Sequence, residues 1–396
     1  MKPLKIVNTN MDPAALSPLR QQSSCAPKAC SCTTEAAPAL HDEKALRGAR
    51  WIEGAIDTPA GRVPVVSTAW KAADRLGQVR ARVSSFRMKY AIDPGLYAVG
   101  RPGMDSDVYV SANYKLSFDV LRRALAGKDA WILVLDTGGI NVWCAAGKGT
   151  FGTTELVNRI KVSRLAEMVR HRRVIAPQLG AVGVDADAVK RETGFAVRFG
   201  PVRAADIPAY VSAGYKKTDA MRRVRFTVLD RLALTPMELR PAVKPYLVFA
   251  LAMLAVSGLA PEGILFRQAF SGALPLLVLG LAALFAGAVV TPVLLPVIPF
   301  RSFAVKGLVA GAALVVPIVL YSGMFEGADA ALLAASYVFF PLVSSYLALQ
   351  FTGASTYTGM TGVKKELRYA LPVYIGGSIV SAIGLIAHNL LVRGII

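Results

Sequence analysis

Charge is nearly absent from the C-terminal part of this chain. Between Pro245 and Val363 the only charged residues are Glu262, Arg267, Arg301, Lys306, Glu326 and Asp329. Histidine is scarce as well, at three residues (His41, His171 and His388), and none sits in the Asp-x-His-x-x-Gly pattern by which many cobalamin proteins bind cobalt. Cysteine amounts to four residues (Cys25, Cys30, Cys32 and Cys144), which do not form the four-cysteine run of an iron–sulfur cluster. No charged-then-apolar signal sequence opens the chain, so the first domain is expected in a reducing cytosol without a disulfide framework. No nucleic-acid-binding motif or interleaved aromatic stripe is present either, which argues against nucleic acid as a partner.

What is present divides the chain in two. It has 396 residues, 54% of them apolar, yet 45 are Lys or Arg. Seven of those 45 and four of the 26 acids follow Pro245, leaving 38 and 22 before it, a net of +16 on the N-terminal part. So basic a domain suits anionic lipid headgroups or an acidic protein partner.

Residues 1–45 mix Pro, Ser, Ala and polar residues without periodicity and read as a disordered tail. An α/β pattern is expected from about Ala91 within a domain spanning 46–240. Val108–Val110 reads as a strand, Ser117–Leu125 as a helix and Trp131–Leu135 as a strand buried on both faces. Ile140–Trp143 is a further short apolar run, and an amphipathic helix is expected over 154–172. Val174–Ala176, Asp187–Glu192 and Ala196–Phe199 continue the alternation. The expectation is a Rossmann-like α/β domain with a largely parallel sheet.

Residues 241–396 carry five apolar spans, at about 246–261, 269–298, 304–324, 330–351 and 370–392. Each approaches the ~20 residues that cross a bilayer as a helix, so an all-α transmembrane domain of five helices is expected. Arg301/Lys306 and Lys364/Lys365/Arg368 fall in the loops on one side, and Glu262 with Arg267, then Glu326 and Asp329, in those on the other. The positive-inside rule then places the N-terminal domain in the cytoplasm at the inner membrane and Ile396 outside. No charge lies in mid-span to mark an ion path, so an anchor is the plainer reading.

The segment with chemical content is Asn141-Val142-Trp143-Cys144-Ala145-Ala146-Gly147-Lys148-Gly149-Thr150-Phe151. It lies where α/β proteins place ligands, after a strand and before a helix. Its glycines allow a large flat ligand to approach the backbone. A thiol near a helix N-terminus and beside Lys148 is well placed as a metal ligand or nucleophile. A phosphate-binding P-loop is ruled out, because Val142 and Gly149 stand where that motif needs Gly and Ser or Thr. From residue type alone, a lone Cys beside a Trp is more often a small buried hydrophobe.

This contiguous run resembles the cap-helix signature of the HgcA family, the corrinoid proteins of mercury methylation. Gly95–Gly100, Ala112–Lys115, Trp131–Asp136, Thr352–Tyr357 and Gly362–Glu366 resemble the same family, so the likeness extends over roughly residues 90–392. The soluble domain is similar to the corrinoid iron–sulfur protein of acetyl-CoA synthesis. The resemblance implies a corrinoid (cobalamin-type) cofactor with Cys144 as the lower axial ligand of cobalt, and Cys144 as the working residue. Asn141, Val142, Trp143, Ala145, Ala146, Gly147 and Lys148 would cap the lower face, with Ser111 near it where the family usually has Thr.

The implied activity is a corrinoid-dependent methyltransferase that passes a methyl group from methyl-Co(III) to Hg(II). Two alternatives stay open: a corrinoid methyl carrier for a different acceptor, and a non-enzymatic membrane-bound ligand-binding protein. The resemblance also implies a methyl donor of the methyltetrahydrofolate type and an HgcB-type, ferredoxin-like iron–sulfur partner to supply electrons. Arg170, Arg172 and Arg173, with Arg222, Arg223 and Arg225, would dock that partner, lie against lipid, or form a solvated face. Cys25, Cys30 and Cys32 are candidate metal ligands for Hg(II), a soft ion, or else incidental.

Overall fold

A computed structural model describes residues 49–260, 263–264, 266–355, 357 and 360–393. The tail with Cys25, Cys30 and Cys32 lies outside the described residues. The architecture is an α/β domain followed by a helical region with five helices long and apolar enough to cross a membrane.

Seven strands form the main sheet: β1 (Ile52–Thr58), β2 (Gly61–Val66), β3 (Gly95–Val99), β4 (Val108–Ala112), β5 (Ala130–Leu135), β6 (Arg173–Ala176) and β7 (Ala196–Phe199). Their spatial order is β1-β2-β3-β5-β4-β6-β7. Every residue of β3, β4 and β5 is buried, as their unbroken apolar runs require of central strands. Side chains alternate between the two faces. Trp131, Leu133 and Leu135 therefore enter one core with Phe151 and Leu156, while Ile132 and Val134 enter the other with Phe118 and Tyr210.

The sheet is largely parallel, as expected, though not wholly so: β5, β4, β6 and β7 are mutually parallel and β2 pairs parallel with β3, but β3 runs antiparallel to β5. The connection from β3 to β4 explains this, because residues 100–107 contain no helix and are too few for the crossover that parallel neighbours need. The fold also begins earlier than Ala91, with the antiparallel β1–β2 hairpin and a helix at Ala72–Val83. Downstream, the helix expected over 154–172 stops at Val162. Arg164 takes a positive φ of 47°, and a short turn of helix, Leu165–Met168, leads into β6.

The early segment is tied to the sheet by a buried ion cluster. Asp119 and Arg122 are fully buried on the helix Lys115–Ala124. Arg122 Nε donates to Asp119 at 2.8 Å, and its guanidinium also reaches Asp74 at 3.0 Å and the Ala69 carbonyl at 3.1 Å. Lys115 donates to Asp119 at 2.7 Å and to Asp74 at 3.2 Å. Burial alone would raise the Asp74 pKa, but the Lys71 backbone N–H and the Arg122 and Lys115 charges outweigh it and hold the carboxyl below its ordinary range.

The five candidate spans are Val228–Gly258, Ala269–Val293, Phe303–Tyr321, Ala330–Gly353 and Thr361–Val392. Small residues let the third and fourth approach closely. A Cβ on Gly307 would stand 2.8 Å from the Ser344 carbonyl, and one on Gly311 would stand 2.6 Å from Ser344 Cβ. The buried Ser344 hydroxyl donates to the Gly307 carbonyl at 2.7 Å. Lys306 is not a free loop charge. It is buried, and its Nζ donates to the carbonyls of Leu295 and, at 2.6 Å, Ile298, where Pro292 and Pro296 end the preceding helix. Lys306→Met leaves both carbonyls without that donor. It is expected to destabilise the detergent-solubilised protein by about 2 kcal/mol, and an unchanged thermal midpoint would contradict this role.

Candidate functional site

The chain leaves β4 toward β5 on one side and returns across it to β6 on the other, so the carboxyl ends of β4 and β6 flank a topological switch point. Ligands of open α/β sheets bind at such points. A cleft of about 360 Å³ opens there, with Ser111, Asn141, Val142 and Trp143 in its walls alongside Ile175 and Pro177. Its lining contains no Asp, Glu, His, Lys, Arg or Cys side chain. The one titratable group in it is Tyr109. Burial, reinforced by the Asp107 charge, pushes that hydroxyl well above the ordinary phenol range. The cleft is thus built to hold an apolar body, and offers no acid or base of its own for proton transfer at neutral pH.

The candidate thiol, Cys144, follows directly on the cleft residues Asn141, Val142 and Trp143 in the chain. Val142–Lys148 forms a short helix, where Ile140–Trp143 had read as an apolar run. Asn141 caps it: its side-chain oxygen accepts from the Cys144 N–H at 2.9 Å. At the other end Gly149 takes the left-handed conformation, φ 82°, and the Thr150 N–H returns to the Ala145 carbonyl at 3.0 Å. Cys144 is therefore fixed in the first turn. It is half-buried, forms no disulfide, and is the one cysteine among the described residues.

The structure sorts the other predicted residues by position. Ser111 (buried), Asn141, Val142 and Trp143 meet around the cleft, and the Trp143 ring is 39% exposed. Cys144 is the next residue along the helix and is not part of the lining itself. Ala145 and Ala146 point away from the cleft and are buried in the core with Phe151. Gly147 and Lys148 are exposed to solvent. The helix rests on close backbone contact, since a Cβ on Gly183 would stand 2.3 Å from the Phe151 carbonyl and 3.1 Å from Ala146 Cα. Gly183→Ala should cost about 1–3 kcal/mol of stability as that layer is pushed apart. A thermal midpoint equal to wild type would show that the layer yields freely.

Asn113 is the organising residue that the sequence reading did not single out. Buried just after β4, its Oδ1 accepts from the N–H groups of Thr137 at 3.1 Å and Gly139 at 2.9 Å. Its Nδ2 donates to Asp136 at 3.2 Å. Gly138 and Gly139 both take positive φ, 66° and 71°, so the turn can bend back over Asn113 and deliver Asn141 to the helix start. Nothing in the local sequence marks this, because the pairing joins residues on two strands' ends.

Neither described histidine is near. His171 lies within 2.9 Å of the Ser106 carbonyl, ahead of β4 and hence at the opposite end of that strand from Ser111. His388 is in the last candidate span, against Asp329. Among the described residues no three His, Cys, Asp or Glu side chains converge as a metal site. Lys217 Nζ donates to Gln178, which stands in the chain between the cleft residues Pro177 and Leu179, and burial and the charge of Arg222 hold that amine below the usual lysine range.

Fold and cleft together define an α/β domain with an apolar cleft at its switch point, joined to five candidate membrane helices. A family model described as the CO dehydrogenase/acetyl-CoA synthase delta subunit matches residues 85–211. Among similar proteins is the acetyl-CoA decarbonylase/synthase complex subunit gamma of Archaeoglobus fulgidus, 29% identical over 131 residues, which are 33% of this chain and 27% of that protein. The subunit of the same name from Methanopyrus kandleri is 29% identical over 144 residues, covering 36% and 31%. That of Methanocaldococcus jannaschii is 32% identical over 97 residues, covering 24% and 20%. This chain thus spans under a third of the length of those first two relatives. The family match contains every residue that lines the cleft, and its place agrees with the similarity to acetyl-CoA synthesis proteins read from the sequence.

Proposed function

We propose that this chain is a membrane-anchored corrinoid protein that transfers a methyl group to Hg(II), with Cys144 as the protein's ligand to cobalt. The observation that carries the reading is a cleft without acid or base beside one fixed, unpaired thiol. Such a site holds a ligand that brings its own reactivity. The resemblance of residues 141–151 to the HgcA cap helix, and of residues 85–211 to acetyl-CoA synthase and decarbonylase subunits, supports a corrinoid as that ligand.

The residues present fit such a group. Trp143 and Val142 supply apolar surface for a flat ring, and Ser111 a hydroxyl beside it. The capped helix holds Cys144 at the rim, and the core beneath Ala145 and Ala146 keeps that helix from yielding. When bound, the corrinoid supplies a cobalt that can accept a methyl group and release it to an electrophile. The chain's part is to present a soft, electron-rich sulfur to that metal, with neither described histidine near the cleft. Asn141 has its oxygen committed to the Cys144 N–H, so its role is to set the helix as well as to line the cleft. Gly147 and Lys148, being exposed, belong to the outer edge of this cap.

In this reading the α/β domain is cytoplasmic, with Ile396 outside. A ferredoxin-like partner of the HgcB type supplies electrons, and a methyltetrahydrofolate-type donor supplies the methyl group. The similarity to acetyl-CoA decarbonylase/synthase subunits favours a second reading, a methyl carrier for another acceptor. The test is to load the full-length, detergent-solubilised protein with a methylated corrinoid and add Hg(II). Methylmercury formed in proportion to protein supports the first reading. Corrinoid retained without methylmercury favours the second, and no retained corrinoid overturns both.

A further inference from the structure

A second cleft, of about 640 Å³, lies between the first turns of the third and fifth candidate spans. Its mouth carries Arg301 and Lys365, both exposed and neither paired with a carboxylate among the described residues. The one acid there, Glu366, is already engaged: its Oε2 accepts from the Ser302 hydroxyl at 2.9 Å and the Ala304 N–H at 3.1 Å. Two cations therefore face one carboxylate whose oxygen caps a helix. Farther in, the walls become apolar, with Leu308 and Val373 exposed at 38% and 56%.

The spacing sets out an amphiphile. Val305 and Leu308 follow Arg301 by four and seven residues and Val373 follows Lys365 by eight, so at a helical rise of about 1.5 Å per residue the apolar walls begin about 6 Å from the cations and continue to about 12 Å. A charged mouth above apolar walls at that depth matches a phosphate headgroup over the start of an acyl chain. We infer that this cleft binds an anionic phospholipid, with the phosphate between Arg301 and Lys365 and one chain along Leu308 and Val373. A free anion would need no apolar wall, and a zwitterionic lipid would gain less from two unpaired cations. The inference requires that the five spans cross a bilayer, and it is independent of the corrinoid chemistry proposed above.

The experiment uses full-length protein in nanodiscs of mixed phosphatidylglycerol and phosphatidylcholine, with the bound lipid measured after extraction. Wild type should retain phosphatidylglycerol preferentially. Arg301→Gln combined with Lys365→Gln should reduce that preference about thirtyfold, as expected on removing two cations near a headgroup. Val373→Trp, which fills the cleft without changing charge, should also abolish it, and thermal unfolding should show both variants folded. Three results would overturn the proposal: no lipid preference in wild type, an undiminished preference in the charge variant, or displacement of the lipid by inorganic phosphate alone. The last would make the site one for a soluble anion.

Discussion

Cys144→Ala is expected to lower methyl transfer to Hg(II) at least a hundredfold, equivalent to about 2.7 kcal/mol of transition-state stabilisation. The variant should remain folded. Cys144 is half-buried and unpaired, and the hydrogen bond that anchors its residue is made by the backbone N–H, which alanine keeps. Thermal unfolding measured beside activity separates loss of function from loss of structure. Cys144→His gives a graded control, since imidazole can also bind cobalt but is a weaker electron donor than thiolate. It should retain corrinoid and transfer methyl more slowly than wild type. Full activity in the alanine variant would remove Cys144 from the mechanism.

Asn113→Ala should act from a distance with nearly as large an effect. It removes the acceptor for the Thr137 and Gly139 N–H groups and the donor to Asp136, in a turn where Thr137 is fully buried. Unsatisfied buried polar groups cost about 1–3 kcal/mol each, so a loss of about 3 kcal/mol is expected. The turn also delivers Asn141 to the helix cap, and retained corrinoid should fall along with stability. Asn113→Asp keeps an acceptor for both N–H groups but sets a carboxylate against Asp136. It should keep more of the turn than alanine does and less than asparagine. Equal stability of the alanine variant and wild type would mean that the turn holds without Asn113.

How much of this was legible in the sequence depended on how local each signal is. Trp131–Leu135 announced a central strand because every residue is apolar, and the five candidate membrane spans announced themselves by length and lack of charge. The β1–β2 hairpin was not legible, since most of Ile52–Thr58 is exposed and its composition carries no apolar alternation. The direction of β3 follows from a short connection, which is visible only once the strand boundaries are known. The helix bearing Cys144 is seven residues long, too short for helical periodicity to outvote the apolar run at its start. Asn141 as a cap and Gly149 as a terminator were the available signals.

The cleft shows the same division. Ser111 and Asn141–Trp143 were named from the resemblance, while Ile175, Pro177 and Gly200 were not, because an isolated apolar or small residue carries no motif. The cleft is assembled from four separate stretches of chain. Its most informative property, the lack of any acid or base in the lining, exists only after folding brings those stretches together.

The central claim is that Cys144 binds the metal of a corrinoid. Cobalt-edge X-ray absorption on the corrinoid-loaded, full-length protein tests it most directly. The account predicts one sulfur scatterer in the cobalt shell of wild type, replaced by a nitrogen or oxygen scatterer in Cys144→Ala. A wild-type shell of nitrogen and oxygen alone would contradict it, and the thiol at the rim would then have no part in holding the metal.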